Sequence, residues 1–334
     1  MASESEPLLQ RSPDMSQYPT MFDPQSLVRK GFCPVHAGAP PLETHSLYYE
    51  QHGTGEKHVL LINGLNTNSF GWDFQVKSLA PTYSMLVFDN RGCGYSGYPA
   101  GRYTTSGMAE DIIVLLDHIG WTSLRQIHVV GASLGGMIAQ ELALRISSRI
   151  ASLTLCVTTP GGMPWQNFPP FKGIQFLTTL LLTKEPEQKV PTVLKMLYPF
   201  AWLEENAAND PQQRTNRQVQ TESYLRRVLF SPKQRIIGHV SQLAAALTHY
   251  VSPDKLRRIS EAIPKVVILC GDEDSLVDLR HSRDLKASMP EAEFIQWKHT
   301  GHGIHSQRPT EFRDLLVRIF HEADTTQIID VMTQ

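Results

Sequence analysis

The sequence predicts an α/β fold: a mostly parallel central sheet with helices on both faces and one inserted helical segment. Three observations predict it. Short apolar runs bounded by turn residues recur along most of the 334 residues. Helical patterns lie between several of these runs, and such alternation builds parallel sheets covered on both sides. From about residue 159 to about residue 235 the β-like runs vanish, while apolar and aromatic residues persist.

The elements follow in order. "HSLYYEQHG" (45–53) alternates like a strand. "HVLLIN" (58–63), "SMLVFD" (84–89), "QIHVV" (126–130), "SLTLCVT" (152–158), "KVVILC" (265–270) and "EFIQW" (293–297) are compact β-like segments. Most are nearly continuous in apolar character, as strands buried on both faces are. "SGMAEDIIVLLDHIG" (106–120) places Met108, Ile112, Leu115, Leu116 and Ile119 at helical spacing, with Gly120 as its stop. "ASLGGMIAQELALRI" supplies a second helix, and "PTEFRDLLVRIFHEA" (309–323) the last. The 159–235 stretch carries an aromatic-rich loop, "PGGMPWQNFPPF", and two helical patterns, "GIQFLTTLLL" and "VPTVLKMLYPFAW". Structureless connections above about 12–15 residues are uncommon, so its length favours a helical insertion over an ordinary crossover. The expected organisation is a disordered N-terminal segment (1–40), a core from 41–158 and 236–322, a helical cap insertion (159–235) and a flexible tail (323–334). No internal repeat is found.

Bulk properties narrow the function. Lys and Arg number 31 against 33 Asp and Glu, for a net charge of -2, and no basic block marks a nucleic-acid surface. The longest apolar runs, such as the three leucines at 180–182, fall far short of a bilayer span, so no transmembrane segment is expected. The N-terminus lacks the basic start and apolar core of a secretory signal. "EPLLQ" has the pattern of a dileucine sorting signal, but with no membrane anchor beside it the match is read as chance. Cys33, Cys93, Cys156 and Cys270 show no paired spacing, and two lie inside apolar runs. Buried free thiols and a reducing, cytoplasmic setting are expected.

"VVGASLGGMIAQ" (129–140) sets Gly131, Gly135 and Gly136 around Ser133. Glycine costs entropy in regular structure, so a backbone turn must need it. "GASLG" fits G-x-S-x-G, a sharp strand-to-helix turn that exposes the serine oxygen above a sheet. The alternative is a serine in a glycine-rich turn with no chemistry; the strand before and the helix after favour the elbow. A serine hydroxyl is a poor nucleophile without a base. After the last strand the chain reads "KHTGHGIHSQRP", with His299, His302 and His305. The segment contains Gly301 and Gly303, looks like a loop, and has no carboxylate or cysteine cluster beside it, so no metal is expected. His302, behind Gly301, is the candidate base; His299 and His305 are expected to face solvent or serve structure. The base needs a carboxylate to hold its tautomer. "GDEDSLVDL" offers Asp272, Glu273, Asp274 and Asp278. Asp274 precedes "SLV", whose apolar residues anchor the loop, and the order Ser…Asp…His recurs in hydrolases of this architecture. Donors for an oxyanion would be the Leu134 N–H, at the helix start, and the Leu65 N–H in "LLINGLNTNSFGW".

These motifs together resemble the α/β-hydrolase superfamily, in its serine esterase-like branch with a helical cap. The resemblance covers about residues 45–322. It rests on Asn63-Gly64, "FDNRGCGYS" (88–96), "GASLGGMIAQELA", "GDEDSLV" and "GHGIHSQRP". It implies an α/β-hydrolase fold, Ser133 as nucleophile, Asp274 as acid, His302 as base, and oxyanion amides at Leu65 and Leu134. Arg91 and Gly94 match a loop that is structural in this family. Asn63 stands where the family usually has histidine, and Gln307 where many members have glutamate. Members with an aspartate nucleophile, the epoxide hydrolases and haloalkane dehalogenases, are disfavoured by Ser133.

The expected function is hydrolysis of a carboxylic ester, thioester or related acyl bond of a small, partly hydrophobic molecule through an acyl-enzyme, without a cofactor. An acyltransferase on the same residues, or a non-catalytic ligand-binding relative, are the alternatives; an intact Ser/Asp/His set counts against the latter. Cap aromatics, including Trp165, Phe168, Tyr198 and Trp202, are divided between pocket lining and packing of the cap, with packing expected for most.

Overall fold

The central strands read as apolar runs because both faces of the sheet are covered. The computed structural model describes residues 14–36, 43–208 and 210–332. Within them eight strands form one sheet: β1 (Leu27–Val35), β2 (His45–His52), β3 (His58–Ile62), β4 (Ser84–Phe88), β5 (Ile127–Ala132), β6 (Ile150–Cys156), β7 (Lys265–Gly271) and β8 (Glu293–Trp297). Their spatial order is β1-β2-β4-β3-β5-β6-β7-β8. β1 and β2 pair antiparallel, as do β2 and β4, and every other neighbouring pair is parallel. The sheet contains all seven segments expected as strands.

The helices are α1 (Asp73–Leu79), α2 (Thr105–Ile119), α3 (Leu134–Ile146), α4 (Phe171–Leu182), α5 (Pro186–Leu197), α6 (Phe200–Glu204), α7 (Asn216–Phe230), α8 (Ile236–Leu247), α9 (Pro253–Ala262), α10 (Leu279–Ser288), α11 (Ile304–Gln307) and α12 (Pro309–Met332). Period-two alternation sorts the strand residues between two cores. Leu60, Ile62, Leu86 and Phe88 join the core with Ile112 of α2, Ile138 of α3, Leu256 of α9 and Leu285 of α10. Val59, Leu61, Met85 and Val87 face the other way, onto Val76 of α1 and Phe312, Leu316 and Phe320 of α12. Each fully buried Leu, Ile or Phe contributes about 1.5–3 kcal/mol, so the two layers hold the sheet between them. α2 stops where expected: Gly120 takes φ +83°, a left-handed conformation that favours glycine.

Two boundaries differ from the sequence expectation. Leu27–Val35, within the stretch expected to be disordered, forms β1 and pairs with β2 along the strand. As an edge strand holding Gly31 and Pro34, it needs no continuous apolar run, which is why periodicity did not mark it. The expected flexible tail begins inside α12, which runs to Met332 because no glycine or proline interrupts it after Pro309. "EPLLQ" lies outside the described residues.

Between β6 and β7 the described residues form no strand; six helices, α4 to α9, are joined there by loops. α9 packs on α3 and α10, whereas α5 and α7 enclose a small core of their own: Val190, Leu194, Tyr198 and Leu203. Among the aromatics, Tyr198 is buried and packs on Trp202 at 5.1 Å between ring centroids. Trp165, Phe168, Phe171 and Phe200 are half or more exposed. Among the described residues no helix is long and apolar enough to cross a membrane.

Candidate active site

Every residue from Ile127 to Gln140 is buried except Ser133, which is half-buried. The turn that opens this single window is strained: Ser133 has φ 56° and ψ -120°. Strain of this kind costs on the order of 1–3 kcal/mol and persists only where the surroundings enforce it. They do so here by close packing. A Cβ on Gly135 would overlap the Ile62 carbonyl at the end of β3, and one on Gly131 would overlap the Gly135 carbonyl. The glycines let α3 start directly against the sheet, with Ser133 at the apex. Its carbonyl accepts from Thr158 Oγ1 at 2.8 Å, and its N–H donates to Cys156 O at 2.9 Å. The residue after Cys156, Val157, is itself held at φ 45°. Ser133 begins α3 without capping it with its side chain, so the Oγ is free for other use.

The loop after β3 lies beside this apex. A Cβ on Gly64 would sit 3.3 Å from Ser133 Cβ and 3.8 Å from Ser133 Oγ. The N–H groups of Leu65 and Leu134 donate to no acceptor among the described residues. The loop is braced from two sides. Asn63 Nδ2 donates to Phe88 O at 2.9 Å, and Asn90 Nδ2 donates to Asn63 O at 3.2 Å. Asn66, at φ 56°, donates its N–H to Gln242 Oε1 at 3.0 Å, while Gln242 Nε2 donates to Arg91 O at 2.8 Å.

The acid and base candidates come together. His302 Nδ1 lies 2.8 Å from Asp274 Oδ2 and 3.0 Å from Oδ1. Asp274 Oδ1 also accepts from the N–H groups of Leu276 (2.8 Å) and Val277 (2.9 Å), so the backbone that follows it holds the carboxylate. The other three carboxylates are engaged elsewhere. Asp272 Oδ1 accepts from Thr300 N–H at 3.3 Å, Glu273 faces His299 at 3.3 Å, and Asp278 caps α10 by accepting from Arg280 N–H at 2.9 Å. The three histidines diverge: His299 is exposed and His305 packs on Trp72, tilted, with ring centroids 4.5 Å apart. Ser133 Oγ and His302 Nε2 have no hydrogen-bond partner among the described residues.

Gln307 fits its place by being an amide. Its Oε1 accepts from Gly301 N–H and its Nε2 donates to His299 O, both at 2.8 Å. A carboxylate could satisfy only the first. The motif residues Asp89, Arg91 and Gly94 are structural in geometry. Asp89, pushed up to about 6 by burial, accepts from the N–H groups of Ser69 and Tyr95, and a Cβ on Gly94 would overlap its carboxylate. Arg91 forms a buried two-point pair with Asp111, Nε to Oδ2 and Nη2 to Oδ1, each 2.6 Å. The sequence reading did not single out Gln242 or Thr158, which bond Asn66 and the Ser133 carbonyl across 176 and 25 residues with no local motif to mark them.

A profile of the alpha/beta hydrolase fold family matches residues 57–309. A protein of Caulobacter vibrioides (strain NA1000 / CB15N) that carries the name carbamate hydrolase RutD is 29% identical over 283 residues, covering 83% of this chain and 96% of its own. A protein of the same name from Agrobacterium fabrum (strain C58 / ATCC 33970) is 25% identical over 289 residues, 84% of this chain and 100% of its own. Among solved structures, a hydrolase from Pseudomonas aeruginosa PA01 superposes with a TM-score of 0.67 at 25% identity, covering 88% of this chain and 98% of that one. A thermophilic esterase from Thermogutta terrifontis shares the fold with a TM-score of 0.67 at 20% identity, covering 89% and 99%.

Proposed function

This chain belongs to the alpha/beta hydrolase fold family, and from that premise we propose that it is a serine hydrolase cleaving a carboxylic ester, thioester or related acyl bond of a small, partly hydrophobic molecule. The observation that carries the reading is the strained Ser133 apex, the one opening in a buried strand-turn-helix. In this reading Ser133 Oγ attacks the carbonyl carbon while His302 Nε2 takes its proton. Asp274 holds the Nδ1–H tautomer and stabilises the imidazolium. The oxyanion is received by the Leu65 and Leu134 N–H groups, helped by the positive end of α3. His302 then protonates the leaving group, and water, deprotonated by the same histidine, releases the acid from the acyl-enzyme.

The relatives' name brings carbamates into the substrate range, since a carbamate carbonyl meets the same nucleophile. Residues 159–235 are proposed as the cap over this site; that α5 and α7 have their own small core supports a separate layer. Four free, buried cysteines support a reducing, cytoplasmic setting. The test is turnover of acetyl, butyryl and octanoyl p-nitrophenyl esters and a p-nitrophenyl carbamate, with Ser133→Ala alongside. Loss of a serine nucleophile costs on the order of 10⁶ in rate. Wild-type turnover of any of these, abolished in the alanine variant with an unchanged melting curve, is expected. Near wild-type turnover in the variant overturns the reading.

A further inference from the structure

We infer that Tyr198, in the segment between α5 and α6, is a positioning residue for His302. The inference rests on the proposed role of His302 as base. His302 is flanked by two glycines, and the same three cap residues explain both. A Cβ on Gly301 would stand 2.5 Å from Leu197 O and 3.1 Å from Pro199 Cδ. A Cβ on Gly303 would stand 2.6 Å from Tyr198 Cε1 and 3.1 Å from Cζ. Gly303 has φ -76°, which any residue adopts, so it is the Tyr198 ring that requires glycine there. The contact is also bonded. Gly303 N–H donates to Leu197 O at 2.8 Å. The Tyr198 hydroxyl lies 2.8 Å from Ser306 Oγ and 3.0 Å from Gln220 Oε1, Ser306 Oγ donates to Gly303 O at 3.0 Å, and Gln220 Nε2 donates to Ser306 O at 3.4 Å. Tyr198 is 4% exposed, and burial pushes its phenol above the usual range, so the hydroxyl stays protonated and able to donate.

The consequence is mechanical. Asp274 fixes one edge of the imidazole, but it leaves the ring free to swing about that contact. The segment from Gly301 to Ser306, which runs into α11, determines where Nε2 points, and the cap holds that segment at three places. Whatever moves α5 and α7 therefore moves the base, and substrate seated under the cap is coupled to proton transfer without touching His302.

The experiment compares Tyr198→Phe, Gly303→Ala and the double variant Gly303→Ala/Tyr198→Leu with His302→Ala and the wild type, in the full chain, on p-nitrophenyl acetate. A misplacement of about 1 Å costs on the order of 10²-fold in rate. Tyr198→Phe keeps the ring and removes only the hydroxyl; kcat is expected to fall about tenfold, a smaller displacement on that scale, with KM within about twofold and the melting temperature nearly unchanged. Gly303→Ala is expected to lower kcat further, and Tyr198→Leu in that background to restore part of it by making room for the methyl group. Unchanged kcat in Tyr198→Phe, or a loss of kcat that only follows a falling melting temperature, overturns the inference, as does a double variant no better than Gly303→Ala. Full turnover in His302→Ala overturns the base assignment itself and the inference with it. An inactive His302→Ala beside a fully active Tyr198→Phe removes the inference alone.

Discussion

At the residue scale, chemistry type and position picked the candidates, and contacts separate one of several similar residues from the rest. Four carboxylates crowd residues 272–278. Only Asp274 reaches His302, and two backbone N–H groups hold it there. Asp274→Asn keeps the shape but presents an amide donor to Nδ1, which forces the wrong tautomer. Turnover of an ester substrate is expected to fall roughly 10⁴-fold. Asp278→Asn and Glu273→Gln should stay near wild type, since their side chains serve a helix cap and an exposed histidine. Parallel kcat measurements check this; a crippling Asp278→Asn with an active Asp274→Asn would contradict it. Gln307 shows the limit of reading residues alone. Its departure from glutamate is visible in the sequence, but its two bonds to Gly301 and His299 depend on how the loop closes.

At the element scale, legibility follows burial. Strands covered on both faces must be apolar throughout, so β3, β4, β5, β6 and β7 stood out as runs. The elbow stood out because the approach of α3 to Ile62 admits only glycine at 135. β1 did not stand out: half of its surroundings are solvent, and its partner is chosen by tertiary pairing. The inserted helices were legible as a break in rhythm, but not in how they attach. Tyr198 and Ser306 are 108 residues apart, and nothing local to either marks their contact. The same holds for the exposed Trp165 and Phe168, whose aromatic character alone suggested a pocket wall.

At the scale of the whole molecule, buried ionisable groups set the response to pH. His128 and His249 are fully buried, and burial lowers their imidazoles to about 4 and about 3. His249 keeps one bond, Nδ1 to Thr105 Oγ1 at 2.9 Å, and its Nε2 is unpaired among the described residues. In the unfolded chain both take up protons near pH 6.5; in the folded chain they do not until far lower. The unfolded state thus binds more protons between about pH 6.5 and 4, and stability falls as pH falls through that window. The loss is about 1.4 kcal/mol per pH unit for each histidine. Asp111 adds a later loss. Burial alone would raise it, but hydrogen bonds from His45 and Arg91 and the Arg91 charge hold it below the usual carboxylate range. Its stabilising contribution is complete above about pH 4 and is lost as pH falls through its folded value. Asp89, raised to about 6, works the other way below that pH and offsets about one histidine's share, but His58 and His305 are lowered by burial as well. Urea midpoints should therefore be level between about pH 7 and 8 and decline from about pH 6.5 downward; a flat profile to pH 5 would contradict this.

The central claim, that the fold exists to present Ser133 as a nucleophile, is tested most directly by covalent labelling. The full-length protein is treated with a fluorophosphonate, its intact mass recorded over time, and the adduct mapped by peptide sequencing. The account predicts one adduct per chain, located on Ser133, absent in Ser133→Ala and much slower in His302→Ala. A chain that stays unlabelled, or one labelled equally well after Ser133→Ala, would contradict it.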